Sequence, residues 1–120
     1  MRAELTRDSV AMGDDADAPH AEGREFREDL TIRQAIASVV SDHYLAGIHG
    51  GRATWIAQAE DGTALAVVAQ QWAEPRMLVA GERPLARVAD ADGRVRLHFA
   101  YRGQSDPEAE YARLAAGPPR

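Results

Sequence analysis

Apolar positions along this 120-residue chain follow two periodicities, one of helices and one of strands. Ile32, Ile36, Val39 and Val40, followed by Tyr44, recur at the spacing of one buried helical face. Thr31 and Gln34 match a capping box, in which hydroxyl and amide side chains satisfy orphan N–H groups at a helix start. Gly47 offers a left-handed stop, so the spacing predicts a helix over residues 32–45. A second helix is predicted over 107–116. Asp106 can cap it, Pro107 suits its first position, and Glu108 and Glu110 suit the positive end of its dipole. Tyr111, Leu114 and Ala115 give this helix one apolar edge.

The remaining apolar segments alternate or run unbroken. Residues 2–10 alternate weakly and read as a first strand, 13–23 as a loop, and 24–29 as a returning strand. Residues 53–59 and 64–69 read as strands joined through Glu60-Asp61-Gly62-Thr63. The second of these has no polar interruption, the pattern of a strand covered on both faces. Residues 77–80 read as a short strand. Val95, Leu97, Phe99 and Tyr101 alternate with Arg94, Arg96, His98 and Ala100, giving the clearest β pattern in the chain. Asp92-Gly93 just before them signals a two-residue hairpin, with a preceding strand over 85–91 that sets Arg94 opposite Ala91 and Arg87 opposite His98.

This order predicts an α+β fold: a single small domain with a mainly antiparallel sheet of about five to seven strands and two packed helices. The opening strand–strand–helix–strand–strand also suits a β-grasp arrangement. That expectation carries no function with it. A chain of 120 residues has room for one core.

Composition narrows the chemistry. The chain has no Cys, and all 14 of its basic residues are arginines. The missing Lys and Asn point to a GC-rich bacterial genome rather than to a recognition device. Thiol nucleophiles, disulfides, Cys-ligated zinc and Schiff-base lysines are excluded. No apolar stretch reaches the roughly 20 residues of a membrane span, and the first residues lack the apolar core of a signal peptide, so a cytoplasmic protein is expected.

Charge is segregated. Residues 1–30 hold 4 Arg against 9 Asp and Glu, which is −5, whereas residues 31–120 hold 10 against 10. The densest acidic patch is Asp14, Asp15 and Asp17 with His20. Those groups could ligate Mg²⁺, Mn²⁺ or Zn²⁺, with Asp8 as a further ligand and His49 or His98 assisting a hydrolytic reaction. Their spacing misses the EF-hand pattern, and the same aspartates equally serve as a solvated loop making turns with its own backbone.

The other candidate is basic. Residues 76–104 carry 6 Arg against 3 Asp and Glu, which is +3. Arg87, Arg94, Arg96 and His98, with Arg102 nearby, share one sheet face if the hairpin forms. Guanidinium forks suit carboxylate or phosphate partners. Phe99 and Tyr101 fall on the opposite face, and the net charge is negative, both of which argue against nucleic acid. The acidic N-terminal segment could lie against these arginines in the same chain or in a second copy. Trp72 is a candidate partner anchor, with packing against the sheet as its plainer role.

No serine sits in a nucleophile elbow, and no phosphate-binding glycine loop occurs. The sequence therefore favours a small non-catalytic, immunity-like interaction protein with a protein partner or a second copy, and no cofactor. The alternatives are a divalent-metal-dependent hydrolase at the acidic cluster and a ligand pocket between sheet and helix lined by Trp55 or Trp72.

Overall fold

The computed structural model describes residues 1–8, 21–42, 45, 53–103 and 105–116. In chain order they form β1 (Arg2–Arg7), β2 (Ala21–Glu25), α1 (Ile32–Ser41), β3 (Thr54–Ala59), β4 (Ala64–Ala69), β5 (Arg76–Met77), a 3-10 helix (Leu85–Val88), β6 (Val95–Tyr101) and α2 (Pro107–Ala115). The class is α+β, with six strands in one mixed sheet in the order β2-β1-β6-β3-β4-β5. All neighbouring strands run antiparallel except β1 and β6, which are parallel. This order and these directions are those of a β-grasp sheet, with the two-residue β5 added at one edge.

Strand alternation divides the side chains between two faces. In β1, Ala3, Leu5 and Arg7 are buried while Arg2, Glu4 and Thr6 are exposed. In β6, Val95, Leu97 and Phe99 point into the same layer as Ala3 and Leu5. α1 closes this layer with Ile32, Ala35, Ile36 and Val39, the stripe its sequence spacing dictates. Trp55 and Tyr101 meet in it with ring centroids 4.9 Å apart. Each fully buried aliphatic side chain contributes about 1.5–3 kcal/mol, so this layer holds the fold together.

Capping fixes where α1 starts. The Thr31 hydroxyl accepts from the Gln34 amide at 3.1 Å, and the Gln34 side chain accepts from the Thr31 amide at 3.0 Å. The next amides are satisfied from the loop before the 3-10 helix: Ile32 donates to the Arg83 carbonyl and Arg33 to that of Gly81. The helix start is thereby tied to the 3-10 segment.

The second face is only half covered. Ile56, Val67 and Ala100 pack beneath Tyr111 and Leu114 of α2, with Trp72 and Leu78 beside them. Asp106 caps α2 by accepting from the Glu108 amide, with Pro107 in the first turn. Arg76 joins this helix to β5. It donates to Glu108 at 2.8 Å and lies over the rings of Trp72 and Tyr111, at 4.2 and 5.3 Å from their centroids. The Glu108 bond raises the Arg76 pKa further above its ordinary value.

Residues 85–91 do not form the expected strand, and the hairpin into residue 94 is corrected with it. β1 takes one edge of β6 from Val95 to Phe99 and β3 takes the other from Leu97 to Tyr101, which leaves room for a bridge at Val95 but not for a third strand. Pro84 instead leads into the 3-10 helix, and one bridge, Ala89 to Val95, replaces the pairing of Ala91 with Arg94. The Asp90 carboxylate accepts from the amides of Asp92 and Arg94, closing a turn with Gly93 at φ 78°. The returning strand expected over 24–29 lies instead at Ala21–Glu25. The unbroken apolar run Ala64–Ala69 is covered on both faces, as its composition requires. Among the described residues no helix is long and apolar enough to cross a membrane.

Candidate functional site

Among the described residues, α2 covers Ile56 of β3, Val67 of β4 and Ala100 of β6 on the second face, and no helix lies over the β2–β1 side. Parallel pairing of β1 with β6 sets Glu4 beside Arg96 and Thr6 beside His98. Arg94 precedes Arg96 on the same parity, and Arg2 stands at the same end of β1. Three of the basic positions foreseen in the sequence, Arg94, Arg96 and His98, are thus brought together, and they meet β1 side chains that the sequence did not bring to this face.

Arg96 is bound from two sides. It donates to Glu60 at 2.7 Å and lies 3.9 Å from Glu4. The Glu60 hydrogen bond is the main reason its guanidinium pKa rises above the ordinary value. His98 is held as firmly. Its Nε2 lies 3.0 Å from Asp8 Oδ1 and its Nδ1 lies 2.8 Å from the Thr6 hydroxyl. An ionised carboxylate only accepts, so Asp8 places a proton on Nε2, and neutral His98 then accepts the Thr6 hydroxyl proton at Nδ1. Asp8 is itself fixed: its Oδ2 accepts from the Tyr101 amide at 2.9 Å, and its own amide donates to the Phe99 carbonyl. A cavity of about 380 Å³, lined by Thr6, Gln58, Arg96 and His98, lies over this network.

Chemically, the face is a network in which Arg96 is paired through Nη1 but its Nε has no hydrogen-bond partner, His98 is bonded at both ring nitrogens, and further cations stand at one end. Among the described residues, Arg2 and Arg94 make no ion pair. Of the N-terminal acidic groups among the described residues, Glu4 lies 3.9 Å from Arg96 of the stripe, whereas Asp8 is held by His98 and the Tyr101 amide.

The other foreseen positions lie elsewhere. Arg87 belongs to the 3-10 helix and lines a cavity on the α1 side, so its placement opposite His98 is corrected along with the missing strand. Arg102 follows β6, and its amide donates to the Thr54 carbonyl. Trp72 is half-buried beneath α2 and engaged by Arg76. Trp55 is a core residue, 2% exposed, whereas Trp72 lines an open cavity with Arg33 of α1 and Met77 of β5; neither tryptophan lines the cavity beside Ile32 and Leu65. Asp14, Asp15, Asp17 and His20 lie outside the described residues, as do His43 and His49. Among the described residues no group of three or more His, Asp and Glu is placed to hold a metal.

Sequence reasoning missed Thr6, Glu4 and Glu60, and it set Asp8 with the acidic cluster rather than against His98. The only signal available was the alternation of Arg2, Glu4 and Thr6 with Ala3 and Leu5, which identifies a strand but not its neighbour. Arg7, 4% exposed on the apolar parity, blurs even that signal. No protein-family model, curated protein or solved structure matches this chain.

Proposed function

We propose that this chain is a small non-catalytic interaction module that captures an acidic segment of a partner protein on the open half of its sheet. The observation that supports this reading is the second face, half covered among the described residues, on which Arg96 and His98 have hydrogen-bond partners while Arg2 and Arg94 make no ion pair with any described residue. Side chains already bonded lose little rotamer freedom on binding, and the Arg2 and Arg94 guanidinium groups attract carboxylates. An immunity-like protein, neutralising its target by occupying it, is the form of this function that suits so small a chain.

Affinity capture from the native lysate tests it, comparing wild type with the exposed double charge reversal Arg2→Glu, Arg94→Glu. The expected result is one acidic protein retained by wild type and depleted about tenfold or more by the variant, at unchanged melting temperature. Equal retention by both would overturn the open face as the contact. Capture abolished by a chelator would favour instead the metal-dependent reading at Asp14, Asp15, Asp17 and His20.

The Thr6–His98–Asp8 chain favours a second reading. A hydroxyl, an imidazole and an anchored carboxylate in series are the parts of general-base activation. Direct register opposition of Thr6 and His98 accounts for their hydrogen bond without catalysis, and the His98 side chain is 37% exposed to water. Binding therefore ranks first. Ester hydrolysis that disappears in His98→Ala would reverse that order.

A further inference from the structure

A second cavity, of about 420 Å³, opens on the α1 side of the sheet, at the end where β3 turns into β4. Its floor is apolar: Ile32 at the start of α1, Leu65 of β4, and Val79 and Val88 from the segments flanking the 3-10 helix. Ile32 and Leu65 are buried, while Val79 and Val88 are half-buried against the main core. Cavities of this size with an apolar floor and a few polar groups are the usual form of small-molecule sites.

The rim decides what such a molecule must carry. Three carboxylates stand on it, and each is already engaged. Glu60 accepts from Arg96 at 2.7 Å. Asp61 accepts from the Thr63 amide at 2.9 Å, and Asp90 from the amides of Asp92 and Arg94. Two guanidinium groups, Arg83 and Arg87, stand on the same rim, one on each side of Pro84 and Leu85. Neither makes an ion pair or side-chain hydrogen bond among the described residues. By contrast Arg24, Arg33, Arg76 and Arg96 all have carboxylate partners. Asp61 and Asp90 keep their negative charge but their oxygens are turned to backbone amides, so the groups left to donate to a ligand, among the described residues, are the Arg83 and Arg87 guanidinium groups beside the apolar floor.

We infer that this cavity binds a small organic carboxylate with an apolar body, the body resting on Ile32, Leu65, Val79 and Val88 and the carboxylate held by Arg83 and Arg87. Glu60 stands at the boundary of the two sites, on this rim and bound to Arg96, but neither the apolar floor nor Arg83 and Arg87 takes part in the partner-binding reading. The 3-10 helix that displaced the expected strand is what brings Arg87 to the cavity. A strand in its place would have carried Arg87 to the other face.

Octanoate and octanol serve as matched probes in titrations followed by methyl NMR of the full chain. Octanoate is expected to shift the Val79 and Val88 methyl signals saturably and to bind about tenfold more tightly than octanol, the gain expected of charge-assisted hydrogen bonds. Arg83→Ala with Arg87→Ala changes two exposed side chains, so the fold persists, and it should bring the two probes to equal affinity. Unperturbed Val79 and Val88 methyls would overturn the site. Equal binding of acid and alcohol by wild type, or an undiminished preference in the double variant, would overturn the role of the arginines.

Discussion

Asp90 sets how the chain enters β6. Its carboxylate gathers the amides of Asp92 and Arg94, and the Arg94 hydrogen bond is the chief cause holding its pKa below the ordinary carboxylate value. Asp61 does the same in the β3–β4 turn, where the Thr63 amide lowers its pKa. A depressed folded-state pKa means that the ionised form stabilises the fold. That stability is complete above the ordinary carboxylate value and is lost as pH falls through the folded pKa. Asp90→Ala should therefore melt below wild type at neutral pH, and the gap should narrow as the pH drops through the carboxylate range. Asp92→Ala, whose side chain makes no hydrogen bond or ion pair among the described residues, should show no such gap. Melting curves across that range check this, and a gap unchanged in acid would leave the turn hydrogen bonds without their assigned role.

The two helices contribute unequally. α1 buries Ala35, Ile36 and Val39 completely, whereas the apolar edge of α2 is only half-buried. Ile36→Ala should cost about 2–5 kcal/mol through transfer and cavity. Loss of the Thr31 hydroxyl in Thr31→Ala should cost about 1 kcal/mol. Leu114→Ala, at a half-covered site, should cost only about 1 kcal/mol. Denaturant unfolding measures all three, and a loss at Leu114 equal to that at Ile36 would contradict the ranking. The same locality explains what the sequence made legible. Thr31 with Gln34, Asp106 with Pro107, and Asp61-Gly62 are signals confined to a few residues, and the helix starts and the turn they mark form where expected, whereas α1 ends at Ser41 with Asp42 as its cap rather than running to residue 45. Leu85 to Ala91 misled because alternation and Asp92-Gly93 describe a strand whatever its neighbours are. Only the occupation of both β6 edges excludes it. The open polar face was half legible for the same reason: Arg94, Arg96 and His98 follow from β6 alone, whereas Glu4, Thr6 and Asp8 require knowing which strand lies beside it.

Across the whole molecule, the first strand is central and the last helix is peripheral. β1 pairs on both edges, with β2 and β6, and supplies Ala3 and Leu5 to the main core. Thr6 and His98 are 92 residues apart in sequence, and closing a loop of that length costs about 4 kcal/mol in chain entropy. The β1–β6 contact therefore depends on the rest of the sheet being in place, and the sheet in turn has no intact core without β1. α2 instead rests on Ile56, Val67 and Ala100 and on the Arg76–Glu108 pair. Removing residues 1–8 should abolish cooperative folding, leaving a collapsed amide NMR spectrum. Removing residues 106–120 should leave the sheet and α1 intact while uncovering the Ile56–Val67–Ala100 patch, seen as dispersed amide signals together with new binding of an apolar dye. A dispersed, cooperatively melting chain without residues 1–8 would mean that β6 is held by β3 alone, and the open face would then no longer depend on the pairing that builds it.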